Sequence, residues 1–140
     1  METLYLDSNI LLNVLLEEEG LAESSYRLLQ DIEEGKYAAT TSLLAIMEIH
    51  RVLQKQGKTE NKIAEAIRKI PGMGVEIIIP EREEMISAYD LIRTLRLDPA
   101  DAIHLASATA SATVFVTRDA ELSRKIKKTI RVAQPEQLLR

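Results

Sequence analysis

Four acidic residues stand where a carboxylate acts either as a cap or as a ligand: Asp7, Glu48, Asp101 and Asp119. Asp7 ends the apolar run Leu4-Tyr5-Leu6, which suits a strand buried on both faces, and the chain then turns into a helical stretch. That is where open α/β sheets hold their ligands. Asp119 repeats the arrangement after Val114-Phe115-Val116, with Thr117 nearby. Two acids at the ends of two parallel strands can face each other. Glu48 lies within an apolar helical segment, and the row Leu44, Glu48, Val52 puts it on the apolar stripe. Burying a lone carboxylate is costly unless it is paired, hydrogen-bonded or bound to metal. A salt bridge to Arg51, or exposure at the edge of the stripe, satisfies it equally well. Asp98 reads as an N-cap and Pro99 as the first helical residue, so Asp101 falls in the first turn, where it favours the helix dipole. From there it also points at whatever lies beside the helix start. His104, in Ala-Ile-His-Leu-Ala, reads as a packed, hydrogen-bonded histidine rather than a ligand.

Carboxylates crowded together repel and raise one another's pKa. A divalent cation removes the conflict, lowers the pKa of a bound water and neutralises charge developing on a phosphate. There are no cysteines and only two histidines, His50 and His104. A metal would therefore be held mainly by oxygen, which points to Mg²⁺ or Mn²⁺. Asn9 and Thr117 supply neutral groups able to orient the ligands, and Ser8 can cap the first helix.

The elements that must position these residues can be read in order. A helix is expected over 9 to about 18, breaking at Gly20, and a second over 22–33, ending at Gly35. A short strand over 36–41 leads, through a cap at Thr41 or Ser42, into the apolar helix 43–53. Thr59 opens another helix, closed by Pro71-Gly72. Residues 75–79 read as a strand, 81–95 as a helix, 98–111 as a helix and 113–117 as a strand. A short helix follows Asp119, then an edge strand over 129–132 and a polar tail with Pro135. Alternating strands and helices predict parallel pairing with right-handed crossovers. The fold class is α/β, a three-layer α/β/α sandwich with a central, mostly parallel sheet.

At 140 residues, 46% hydrophobic and 29% charged, the chain fits one soluble domain over 1–140. A net charge of −4 argues against binding nucleic acid by bulk attraction, though not against a local basic rim beside an acidic pocket. No apolar run approaches the ~18 residues of a spanning helix, and no secretory signal opens the chain, so the expectation is a cytoplasmic protein with no membrane contact.

Leu-Asp7-Ser-Asn9, Glu48, Asp101-Ala-Ile-His-Leu-Ala and Val-Thr117-Arg-Asp119, in that order, resemble the signature of PIN domains. The resemblance spans nearly the whole chain. It implies a metal-dependent endoribonuclease that hydrolyses RNA phosphodiesters with metal-activated water, with Asp7, Glu48, Asp101 and Asp119 as the acidic quartet holding Mg²⁺ or Mn²⁺. Asn9, Thr117 and Ser8 would support it. A compact protein of this size most resembles the VapC-type toxin of VapBC toxin–antitoxin modules, which implies a homodimer and a cognate antitoxin. A non-toxin PIN nuclease in RNA processing, or a PIN-like RNA- or protein-binding module without activity, are the alternatives. Arg51, Lys55 and Lys58 after Glu48, Arg118, and the basic run from Arg124 to Arg131 each read more simply as a solvated face than as a phosphate contact. Arg118, which borders the proposed metal site, is the best placed to meet RNA, and Arg51 is a further candidate. Apolar helices in excess of what one small sheet needs are consistent with a dimer or antitoxin surface. A haloacid-dehalogenase-type phosphatase would need an acid at position 9, where Asn9 stands. A receiver domain would need an acid ending the third strand, where Ile79-Pro80 stands.

Overall fold

Leu4, Tyr5 and Leu6 are completely buried, and their place in the sheet explains it. In the computed structural model, which describes residues 1–139, they belong to β1 (Thr3–Leu6), the middle strand of five. The others are β2 (Ala38–Ser42), β3 (Val75–Ile78), β4 (Val114–Val116) and β5 (Arg131–Ala133). The order is β3-β2-β1-β4-β5 and every pairing is parallel.

Alternation of side chains along the strands divides the core in two. Leu4, Leu6, Val114 and Val116 face one helical layer. That layer is α1 (Ser8–Leu15), α2 (Ala22–Glu33), α3 (Leu43–Lys55) and α4 (Glu60–Gly72). Tyr5 and Phe115 face the other, formed by α5 (Arg82–Leu95), α6 (Pro99–Ser111) and α7 (Ala120–Ile126). A strand covered on both sides must be apolar at consecutive positions, which is why the period-2 signal is absent from β1 and β4. The result is the expected three-layer sandwich, with all described strands parallel. No helix among the described residues is long and apolar enough to cross a membrane.

Several expectations need correction. Asp7, rather than Ser8, caps α1: its backbone is extended, and its carboxylate accepts the Ser8 N–H. Helix α1 stops at Leu15, short of 18, and the turn that follows takes Glu17 to a φ of 50°. Pro71 lies inside the last turn of α4 instead of closing it from outside. Asp98 occupies the N-cap position of α6 but makes no capping bond with its side chain. The polar tail is also structured. Pro135–Gln137 form a 3-10 turn, Leu138 is buried, and the Tyr37 hydroxyl donates to the Leu138 carbonyl at 2.7 Å.

Candidate metal centre

Leu6 pairs with Val116, and the Asp7 N–H donates to the Val116 carbonyl at 3.0 Å. The residues just beyond these two strands, Asp7 and Thr117, are therefore neighbours. They stand where the chain order reverses in the sheet, since β1 leads to β2 on one side while β4 flanks it on the other. The Thr117 hydroxyl donates to Asp7 Oδ2 at 2.7 Å. Asn9 Nδ2 donates to the same oxygen at 3.2 Å and to Thr117 Oγ1 at 3.2 Å. The Asp119 N–H closes the group on Thr117 Oγ1 at 3.1 Å, and the side-chain Oδ1 of Asn9 accepts the Arg118 backbone N–H at 3.3 Å. Asp119 itself caps α7 by accepting the Leu122 N–H.

Glu48 reaches the site from α3. Its Oε1 lies 2.6 Å from His104 Nε2, on α6. The other ring nitrogen, Nδ1, lies 2.6 Å from the Tyr5 hydroxyl of β1, which donates in turn to Ser42 Oγ at 3.0 Å. Ser42 is the N-cap of α3. Glu48 thus pairs with His104 rather than Arg51. The 2.6 Å separation puts Nε2 within hydrogen-bond reach of the carboxylate, so the imidazole can hold its orientation.

The charges act on one another. Burial pushes the Asp7 carboxyl above its ordinary range, and Glu48 adds to this, while His104 and the Thr117 and Ser8 hydrogen bonds work against it. Asp101 is also raised, first by burial and then by the charges on Asp7 and Asp119. His104 would be lowered by burial, but the Glu48 hydrogen bond and the charges of Asp7, Glu48 and Asp101 together hold it above its ordinary value. Ligand atoms of Asp7, Glu48 and His104 all lie within 4.8 Å of one another. Asp101 and Asp119 line an adjoining hollow of about 110 Å³ with Asp98 and Lys125. This oxygen-rich set, crowded enough to resist full ionisation, fits a hard divalent cation.

The expected cations lie elsewhere. Arg118 is largely buried, and its guanidinium donates to Asn13 Oδ1 at 2.7 Å, to Ser24 and Ser25, to the Leu21 carbonyl and to Glu136. It holds the Glu136 carboxyl down to about 2. Arg51 is exposed on α3, beside Met47 and His50. Ser42 caps α3 as one of the two expected caps, whereas the polar contacts of the Tyr5 hydroxyl and of Asn13 were not anticipated from the sequence. A tyrosine within a buried strand was the available signal, because its hydroxyl must find a partner.

The fold has solved counterparts. One is a toxin–antitoxin complex from Klebsiella pneumoniae, 21% identical at a TM-score of 0.67, covering 94% of this chain and 96% of that one. VapBC2 from Rickettsia felis, bound to a DNA fragment from its promoter, is 16% identical at a TM-score of 0.72, covering 94% and 98%. VapC20 from Mycobacterium tuberculosis, described as a sarcin–ricin loop cleaving toxin, is 14% identical at a TM-score of 0.69, covering 86% and 93%. Comparison with curated proteins gives no match. The profile of the PIN domain matches residues 4–128, most of the chain, and the protein belongs to the PIN domain family.

Proposed function

We propose that this protein is a divalent-metal-dependent endoribonuclease and the toxin of a toxin–antitoxin pair. The observation that carries the reading is that ligand atoms of Asp7 and Glu48 lie within 4.8 Å of each other while Asp101 and Asp119, from two further elements, line one hollow and Asp101 feels the charges of Asp7 and Asp119. PIN family membership and the toxins among its structural counterparts support it. A Mg²⁺ or Mn²⁺ ion held by the four acids would supply a water of lowered pKa and neutralise charge on the phosphate.

The protein's own groups do the rest. Thr117 and Asn9 fix the Asp7 carboxylate, and the Asp119 side chain stays exposed at the mouth of the site. Arg124 and Lys127 line a groove of about 390 Å³ with Ser123, Gln134 and Gln137, on the helix that Asp119 caps. Neither side chain has an ion-pair partner among the described residues, so both are available to phosphates flanking the scissile bond. We assign RNA contact to this pair before Arg51, while Arg118 anchors the turn that carries Asp119. A homodimer and an antitoxin complete the proposal, with Met85, Ile86 and Tyr89 of α5 offering exposed apolar surface for a protein partner.

The test is RNA cleavage by purified protein in Mg²⁺ or Mn²⁺, with EDTA and Asp7→Asn as controls. Cleavage that requires both metal and Asp7 supports the reading. A well-folded protein that neither cleaves RNA nor binds metal is instead a PIN-fold binding module.

A further inference from the structure

We infer that His104, steadied by Tyr5, is the positioning residue for Glu48, and that it acts on the metal site only through that carboxylate. The inference rests on the metal-site reading above and adds to it a residue pair outside the acidic quartet.

Glu48 needs holding. Its side chain is 34% exposed, so it has room to swing toward solvent. The Asp7 carboxylate lies within 4.8 Å, and like charges at that range push it outward. Among the described residues, His104 Nε2 is the hydrogen-bond partner of the Glu48 carboxylate, at 2.6 Å.

His104 is fixed in turn. Its side chain is 1% exposed, Tyr5 is completely buried, and their rings meet edge to face with centroids 5.8 Å apart. The Tyr5 hydroxyl contacts both His104 Nδ1 and Ser42 Oγ, and Ser42 accepts the Ala45 N–H at the start of α3. The path Ser42–Tyr5–His104–Glu48 therefore leaves α3 at its cap and returns to α3 at Glu48. On the way it crosses β1 two residues before Asp7 and α6 three residues after Asp101. One closed chain of side chains ties together the three elements that deliver Asp7, Glu48 and Asp101. Placed 2.6 Å from Glu48 and held from behind by Tyr5, the imidazole is set to orient that acid.

Mn²⁺ binding, measured by titration of the full chain without RNA, tests this apart from nuclease activity. His104→Ala is expected to weaken binding by ~10–100-fold, and Tyr5→Phe, which removes only the outer hydroxyl, by about the lower figure. His104→Gln, which can still present an N–H to Glu48, should recover part of the loss. The decisive comparison places His104→Ala in the Glu48→Gln background. If His104 acts through Glu48, the second substitution adds no further loss. An additive loss would make His104 a ligand in its own right, or its effect merely structural, and overturns the inference. Should His104→Ala fail to fold, Tyr5→Phe and His104→Gln are compared in the same way. Unweakened binding by folded His104→Ala overturns this proposal alone. Failure of the wild-type protein to bind Mn²⁺ overturns the reading of the site and this proposal together.

Discussion

Thr117 Oγ1 lies 2.7 Å from Asp7 Oδ2, although the two residues are 110 positions apart. The pairing of Leu6 with Val116 brings them together, and the hydroxyl is then fully used. Its one proton goes to Asp7, and its two lone pairs face Asn9 Nδ2 and the Asp119 N–H. A single oxygen thereby sets the spacing between an acid that ends one strand and an acid that follows the next.

Thr117→Val keeps the shape and removes that oxygen. The Asp119 N–H loses its acceptor and Asp7 loses its shortest donor. Metal affinity and cleavage should fall by ~10–100-fold, with a stability loss of about 1–3 kcal/mol for the stranded groups. Thr117→Ser should restore most of both. Metal titration and urea unfolding of the two variants check this, and a valine variant matching wild type in both would exclude the role.

Asp7→Asn should abolish cleavage yet stabilise the metal-free protein at neutral pH. The sign follows from the raised carboxyl of Asp7, whose ordinary value is 3.8. A group raised in the fold contributes its full stability below the unfolded value and loses it as pH climbs through the native one. Asp101, raised by burial and by its acidic neighbours, adds in the same direction. In EDTA, the site acids therefore favour the fold more near pH 4 than near pH 7, and Asp7→Asn flattens that slope. Metal at ~100 times its dissociation constant returns about 2.7 kcal/mol to the wild type, and the order of stabilities should reverse. Thermal melts across pH, with and without Mg²⁺, read both effects. A metal-free Asp7→Asn protein that unfolds at pH 7 would make Asp7 a structural residue.

What the sequence revealed and what it hid divide along contact range. Asp7 and Asp119 were legible because strand, turn and helix cap are local patterns, and the apolar runs 4–6 and 114–116 announce buried parallel strands. The partner of Glu48 was not legible. Arg51 sits one helical turn away, whereas His104 is 56 residues distant and meets Glu48 only because α3 and α6 pack beside the same strands. Arg118 looked like a free cation between Thr117 and Asp119 for the same reason. Its partners Glu136 and Ser24 lie 18 and 94 residues away. Cap identity at Asp7 against Ser8 turned on one extended backbone angle, a distinction that composition does not carry.

The Arg118–Glu136 pair makes its own prediction. Arg118 lowers the Glu136 carboxyl from 4.5 to about 2. A lowered acid contributes stability above its unfolded value and loses it as pH falls through the native one, here between about 4.5 and 2. Glu136 is largely exposed, so solvent screening holds the contribution to ~1 kcal/mol at most. Glu136→Gln should therefore be modestly less stable at pH 7 and indistinguishable from wild type near pH 2. Hydrogen exchange should show the turn Pro135–Gln137 opening first, since this pair ties it to α2 through Ser24. A difference between variant and wild type that stays constant with pH would mean that packing, not charge, holds the turn.

RNA contact at the α7 groove is separable from cleavage in the Asp7→Asn background. Arg124 and Lys127 line the groove beside Gln134 and Gln137, whereas Lys128, in the same basic run, does not. Each single-strand phosphate contact contributes ~0.7 to the slope of log affinity against log salt, so the double Arg124→Ala, Lys127→Ala substitution should reduce the slope by about 1.4. Lys128→Ala, an equal loss of charge per residue outside the groove, should leave both slope and affinity nearly unchanged. Binding of single-stranded RNA between low and moderate salt distinguishes the cases. If Lys128→Ala matches half the effect of the pair, the attraction belongs to the whole basic run and the groove has no special hold on the strand.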